Sequence, residues 1–447
     1  MKKEYTDENK EFLKTFLNTT FFKNWRESYR KEDPEEDFAI LNYSQLEMNI
    51  GYACDLKCSY CYYKRSGKEL YQNIPVRASD ILKNTEKLMN FLYKNKMYAN
   101  WELFAGEPFV LPYIWDWFDI LYEYAAKTDI SKRTRAIMIP TNLSFMKNHN
   151  KKVLEKIKEY KEKFSSICVD LGLSGSFDGP FMDNFNRKPV NKKHVYNEDF
   201  YNRYSSVCEE LEIGSHPMIY SSNIEYWIDN FIWFTQNTNH LYLLDVRNWE
   251  WTPEQDKHLF YFMKFIVNYI FEYTKEIGIS LSDYLQKTQG FNILMSPFST
   301  IGRGLGCSIQ STLDIELHTI ELIPCHRMGY KNLATGKFIF EDDGSWDFEP
   351  ENVEMYIAEQ STDALSLSPC NSCPINTLCS GTCLGANYEA SGDPFTVPPS
   401  FCRESTAKLA GIVKGFEDIG YIDTILSNVS VIHQSQIEYL LKNFEEM

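Results

Sequence analysis

The chain has 447 residues, 43% of them hydrophobic, with 46 Lys and Arg against 62 Asp and Glu for a net charge of −16. That apolar content suffices for a core larger than one typical domain, and the acidic balance without a basic block excludes wrapping of nucleic acid, which needs phosphate-neutralising cations. The charged start (Met1, Lys2, Lys3, Glu4) is no signal peptide and no apolar run approaches the ~18 residues of a membrane span, so the expectation is a soluble, cytoplasmic protein with no nucleic-acid and no membrane partner.

Residues 1–43 read as a short helical extension. From about 44 to 255, short β-branched or apolar runs alternate with longer amphipathic ones, the pattern of an α/β fold built from βα repeats around a parallel sheet. The expected strands are 44–50, 100–104, 135–140, 167–175, 214–220 and 241–246, with helices over 78–95, 112–127, 150–163, 197–211 and 223–236. A long helical run over 254–288 lies in a connector, 256–300. A Gly-rich loop, 296–307, leads into a cysteine-bearing domain at 301–405, and 406–447 reads as a helical tail.

Twelve cysteines in a cytoplasmic chain point to metal or catalysis rather than disulfides. Cys54, Cys58 and Cys61 follow the first expected strand as C-x3-C-x2-C, with Tyr60 just before the third. A four-iron cubane takes one thiolate per iron, so three close cysteines hold it and leave one iron open. The bland readings are three buried cysteines or part of a zinc site, although zinc prefers four ligands, commonly as C-x2-C pairs. A second group, Cys370, Cys373, Cys379 and Cys383, reads C-x2-C-x5-C-x3-C, preceded by Cys307 and Cys325 and followed by Cys402. The remaining pair, Cys168 and Cys208, read as small buried hydrophobes.

Over residues 44–405 these two patterns resemble the radical S-adenosylmethionine (SAM) enzymes with a SPASM auxiliary-cluster extension. The resemblance implies a partial (β/α)6 TIM-like barrel, a C-terminal SPASM iron–sulfur domain, three 4Fe-4S clusters and bound SAM. It also implies an open iron at Cys54, Cys58 and Cys61 that chelates SAM, which is cleaved reductively to methionine and a 5′-deoxyadenosyl radical. In barrels of this kind the chemistry gathers at the C-terminal ends of the strands.

Other SAM contacts carry over from the same resemblance. Gly106, Glu107 and Pro108 resemble the Gly-Gly-Glu-Pro motif, with Ala105 in place of the first glycine; Glu107 would meet the SAM ammonium. Thr141 and Asn142 resemble a Thr-Asn-Gly segment beside SAM, with Leu143 replacing the glycine. Ser176, Asp178 and Gly179 resemble a Ser-x-Asp-Gly turn in which Ser176 and the later Arg187 bind the SAM carboxylate, an anion suited to the guanidinium fork. Asp245 to Trp251 offer a substrate or adenosine wall, or plain core. His326 and Arg327 would donate to cluster sulfurs, or are surface residues.

In the SPASM region the resemblance assigns Cys370, Cys373, Cys379 and Cys402 to an outer auxiliary cluster, and Cys307, Cys325 and Cys383 to an inner one. Seven cysteines cannot ligate two such clusters fully. The eighth of related chains falls in Ser308–Asp314, which has no cysteine, so the inner cluster is expected to keep an open iron for a substrate thiolate. Otherwise Asp314, Glu316 or His318 supplies the ligand. The family usually has Gly five positions before its second cysteine, where this chain has Ile320.

The function expected is radical modification of a ribosomally made peptide, as a thioether or other cross-link, with formylglycine formation in a sulfatase or peptide epimerisation as alternatives. A zinc-stabilised interaction protein is the non-enzymatic reading. A flavodoxin or ferredoxin would supply the electron. The short N-terminus lacks room for the ~80-residue winged-helix module by which several relatives grip a leader peptide, so a separate leader-binding protein is a possible partner.

Overall fold

The computed structural model describes residues 45–64, 70–94, 99–129, 134–149, 151–181, 186–190, 196–238, 241, 243–245, 251–287, 292–299, 312–341, 345–352, 367–379 and 383–444. The expected extension at 1–43, the end of the Gly-rich loop with Cys307, and residues 246–250 lie outside these. In chain order the barrel elements are β1 (Gln45–Gly51), β2 (Leu56–Cys58), α1 (Ala78–Lys94), β3 (Asn100–Ala105), α2 (Ile114–Lys127), β4 (Ala136–Thr141), α3 (Lys151–Ser165), β5 (Asp170–Gly175), β6 (Arg187–Pro189), α4 (Glu198–Leu211), β7 (Ile213–Ser215), β8 (Met218–Ile219), α5 (Trp227–Asn237) and β9 (Leu244–Asp245). Then come α6 (Pro253–Ile277), α7 (Leu281–Lys287), α8 (Asn292–Ser299), β10 (Thr312–Glu316), β11 (Glu321–Ile323), β12 (Gly336–Phe340), β13 (Trp346–Pro350), α9 (Asn376–Cys379), α10 (Leu384–Ser391), α11 (Pro399–Asp418), α12 (Ile422–Asn428) and α13 (Val431–Asn443).

Strands β1, β3, β4, β5 and β7 pair in parallel in that order. Period-2 alternation sends Leu46, Met48 and Ile50 to one face of β1, all fully buried, and Glu47 and Asn49 to the other, also buried. A strand covered on both faces is what a barrel wall requires. The helices present amphipathic stripes, as in α1, which buries Ile81, Leu88, Met89 and Leu92.

Three expected boundaries move for local reasons. The strand expected from 167 begins at Asp170, because α3 ends in a tight turn in which Cys168 adopts φ +58° and its N–H donates to Ser165 O at 2.9 Å. The strand expected over 214–220 divides into β7 and β8 around Pro217, which has no N–H to give to a ladder. The helix expected over 254–288 stops at Gly278 in the left-handed conformation, φ +71°. Its start is well marked: Thr252 caps it, Pro253 follows, and Gln255 Oε1 accepts from Thr252 N at 2.9 Å.

On the other side of β1 the sheet continues into the cysteine-bearing region. β10 pairs in parallel with β1, and β11, β12 and β13 follow as antiparallel neighbours, giving one nine-stranded sheet. A small separate core of Met328, Leu333, Leu384, Val397 and Phe401 packs against Cys325, Cys370, Cys383 and Cys402. The helix α11 bears Cys402 in its first turn and runs on into the tail, lying along α6. The two backbones come so close that a Cβ at Gly411 would sit 2.3 Å from Phe260 O. None of the described helices is long and apolar enough to cross a membrane.

Candidate active site at the C-terminal ends of the strands

The loop with Cys54, Cys58 and Cys61 leaves β1 at Gly51 and passes over the end of β3, where Gly106 N donates to Gly51 O at 2.9 Å and Glu107 N to Ala53 O at 2.8 Å. A Cβ at Gly106 would lie 2.2 Å from Ala53 O, inside any allowed contact. The glycine therefore makes room for the cysteine loop, beyond any room it gives a ligand. Gly106→Ala should displace the loop at a cost of at least about 1–3 kcal/mol and lower iron and sulfide content. Gly214→Ala, whose nearest neighbour atom is Leu173 O at 4.0 Å, should leave both unchanged.

Cys54 and Cys61 are both felt electrostatically at Cys58. Burial pushes the Cys58 thiol up to about 12, with Arg187 opposing and Cys61, Asp178 and Cys54 adding to the rise. Such a thiol ionises when a metal binds it. Leu56 N donates to Cys54 Sγ at 3.4 Å and Asn142 Nδ2 approaches it at 3.8 Å, the donors that a cluster thiolate takes.

Glu107, fully buried, accepts from Thr141 Oγ1 at 2.7 Å, Phe109 N at 3.3 Å and, through its other oxygen, Asn142 N at 2.6 Å. Burial pushes its carboxyl up to about 7 against these hydrogen bonds. Asn142 also donates to Asp55 Oδ1 at 2.8 Å, and its own carbonyl accepts from Tyr196 at 2.8 Å. Glu107 thus links the ends of β3 and β4 beside the cysteine loop.

Arg187 on β6 pairs across to Cys58 on β2. Its Nε lies 2.9 Å from Asp178 Oδ2 and its second amino group donates to Oδ1 at 3.1 Å, both side chains buried. Tyr60 donates to the same Asp178 Oδ2 at 2.6 Å, with the guanidinium carbon 5.4 Å from its ring centre. Met218 N donates to Asp178 Oδ1 at 3.0 Å. Ser176 sits at the end of β5, its N–H donating to Thr141 O at 2.7 Å. Tyr60, Glu107, Asn142, Ser176 and Arg187 are therefore all at one end of the barrel. Sequence reasoning carried no role for Asp178, the hub of this group, although it stands in the same turn as Ser176; Tyr196 had no motif to mark it.

Two of the three departures from family glycines keep the glycine-like backbone: Leu143 has φ +60° and Ile320 φ +57°. That conformation costs an L-residue roughly 1–2 kcal/mol. Burial of the two side chains, 0% and 8% exposed, offsets it with about 1.5–3 kcal/mol each.

In the C-terminal region, Cys370 feels Cys379, Cys402 and Cys373 as neighbours, and burial followed by these thiols pushes it up to about 11. Those four are the expected outer set. Cys325 and Cys383 pack on the same small core. Cys208 is buried as expected, but Cys168 is exposed. The turn that ends α3 faces it into a cavity of about 980 Å³ at the opposite, N-terminal end of the strands, with Asn100, Arg135 and Asp170. His326 and Arg327 are not plain surface residues: His326 turns onto Glu47, and Arg327 donates to Glu389 Oε2 from Nε at 3.0 Å and from an amino group at 2.6 Å. Glu316 accepts from Tyr52 at 2.5 Å and from Asn49 at 3.2 Å.

No protein-family model and no curated protein matches the sequence. Solved structures do. The anaerobic sulfatase-maturating enzyme anSMEcpe with bound AdoMet aligns with a TM-score of 0.59 at 14% identity, covering 89% of this chain and 99% of that one. The same enzyme with AdoMet and the Kp18Cys peptide gives 0.59 at 14%, covering 86% and 99%. Streptococcus suis SuiB bound to S-adenosylmethionine aligns at 0.45 and 12%, covering 89% of each chain. The fold is that of the radical SAM enzymes, a partial TIM-like barrel followed by a C-terminal domain.

Proposed function

We propose, with the radical SAM fold as premise, that this chain is a SPASM-type enzyme that modifies a peptide. The observation that carries this reading is the meeting of Cys54, Cys58, Cys61, Glu107, Asn142 and the Tyr60–Asp178–Arg187 group at one barrel end. A 4Fe-4S cluster with SAM would supply a 5′-deoxyadenosyl radical by reductive cleavage, the hard chemistry being the cofactor's. Cys54, Cys58 and Cys61 would hold that cluster, with Asn142 directing an N–H toward Cys54. Glu107 would accept from the SAM ammonium. Arg187 has five N–H donors, so Asp178 leaves part of its fork for the SAM carboxylate, beside Ser176. The protein's own task is to hold one substrate hydrogen near the reactive carbon.

Cys370, Cys373, Cys379 and Cys402 would hold the outer auxiliary cluster. Cys325, Cys383 and Cys307 would hold an inner one with an open iron, which favours a Cys-containing peptide and a thioether product. A flavodoxin or ferredoxin is the electron donor in this reading, and a separate protein would present the leader. One neighbour holds a Cys peptide beside AdoMet, which is why formylglycine formation stays the second reading. Anaerobic incubation of the reconstituted enzyme with SAM, reductant and a candidate peptide tests these. Production of 5′-deoxyadenosine supports the class, and its absence under all reducing conditions refutes it. In a Cys-containing peptide, loss of two hydrogens together with loss of the free thiol marks a thioether, loss of sulfur marks formylglycine, and unchanged mass with uptake of one solvent deuterium marks epimerisation.

Glu107→Gln should weaken SAM binding by ~1.5–3 kcal/mol, roughly ten- to 150-fold in Kd, with cluster content retained. Because burial places the Glu107 carboxyl near 7, SAM must find it ionised. Affinity should then fall as pH drops from 8 to 6 in the wild type and stay flat in the Gln variant. Titration of SAM binding against pH checks both, and equal affinity of the two proteins removes Glu107 from the site.

A further inference from the structure

Strand register gathers acids on the face of the sheet opposite Leu46 and Met48. Glu47 on β1 lies opposite Glu102 on β3 and opposite Asp314 on β10. Glu47 and Asp314 are buried. His326, in the turn after β11, reaches the same tier: its Nδ1 is 2.7 Å from Glu47 Oε2 and 3.9 Å from Asp314 Oδ1. Its ring lies flat on Phe104, with centroids 3.9 Å apart and planes 7° from parallel.

An imidazole–carboxylate ion pair accounts for Glu47 but leaves Asp314 and Glu102 over. Among the described residues no Lys or Arg forms an ion pair with any of the three acids. Asp314 Oδ2, fully buried, has no hydrogen-bond partner. Two carboxyl groups and one imidazole thus converge on one buried tier, with one carboxylate oxygen left over.

We propose that Glu47, Asp314 and His326 are the protein ligands of one divalent transition-metal ion, of the Mn2+, Fe2+ or Zn2+ class, held separately from any iron–sulfur cluster. Two carboxylate oxygens and one imidazole nitrogen are the donors such ions take. The three ligand atoms lie within 4.8 Å of one another. Bonds of about 2.0–2.2 Å set the ligand atoms of one ion roughly 3–4 Å apart, so the separations are close to those required. His326, 32% exposed, gives the ion a way in. The ion would join β1, β10 and the turn after β11, fastening the appended strands to the barrel edge.

The test uses the anaerobically reconstituted holoenzyme, freed of loosely held metal by mild chelation and then titrated with MnCl2. The expected result is one tightly bound Mn2+ per chain whose pulsed electron paramagnetic resonance shows coupling to a single imidazole nitrogen, together with a higher Tm. Asp314→Asn and His326→Gln should each weaken it at least about tenfold, and the His326 variant should lose the nitrogen coupling. Iron or zinc already resident would appear as metal in excess of labile sulfide and would count for the site, provided Asp314→Asn removes it. Mn2+ bound without nitrogen coupling, as surface carboxylates would bind it, overturns the proposal. So does the wild type showing neither coupled Mn2+ nor excess metal, a result that needs no variant to fold.

Discussion

Replacing Cys54, Cys58 and Cys61 together by Ala is expected to abolish 5′-deoxyadenosine formation while the chain stays folded. These three thiols lie at the barrel end, whereas Cys325, Cys370, Cys383 and Cys402 rest on a separate small core. If the chain holds the three proposed cubanes, iron and labile sulfide should therefore fall by about one third, rather than to zero. Chromatographic assay of 5′-deoxyadenosine under reducing conditions, beside metal analysis, reads both quantities. A triple variant that still cleaves SAM would mean that the radical starts elsewhere.

Asp178→Ala should be among the most damaging single changes at this site. It leaves the guanidinium of Arg187 buried with no counter-charge and strips Tyr60 and Met218 N of their acceptor. Removing one partner of a buried pair costs about 3–5 kcal/mol, which should appear as a large fall in Tm and a loose cysteine loop. The double variant Asp178→Ala with Arg187→Met removes the stranded charge as well, so it should recover much of the lost stability. If Arg187 meets the SAM carboxylate, the double variant stays unable to bind SAM although it is folded. Recovery of SAM affinity along with stability would show that Arg187 serves only to brace the loop.

Much of the barrel was legible because its signals are local. Hydrophobic runs at strand period and helical stripes placed β1, β3, β4 and α1 to α4 within a few residues. The misplaced edges trace to single backbone events: the left-handed turn at Cys168, the missing N–H of Pro217, the stop at Gly278. Leu143 and Ile320 read as departures from glycine, and only the φ values show that the chain kept the conformation and changed the residue.

The sequence by itself determined which thiols are available and in what groups, because spacing along a chain decides which sulfurs one turn of backbone can bring together. It also determined the parallel βα repeat, since period and run length are properties of short segments. Only the tertiary structure decided that β10 lies against β1, that Asp178 ties Tyr60 to Arg187, and that Glu47, Asp314 and His326 share one tier. The physical reason is the same in each case. Tyr60 stands 118 positions from Asp178 and Glu47 279 from His326, and strand register, which sets meetings such as that of Glu47 with Asp314, is fixed by how whole faces pack and not by any pattern within one segment.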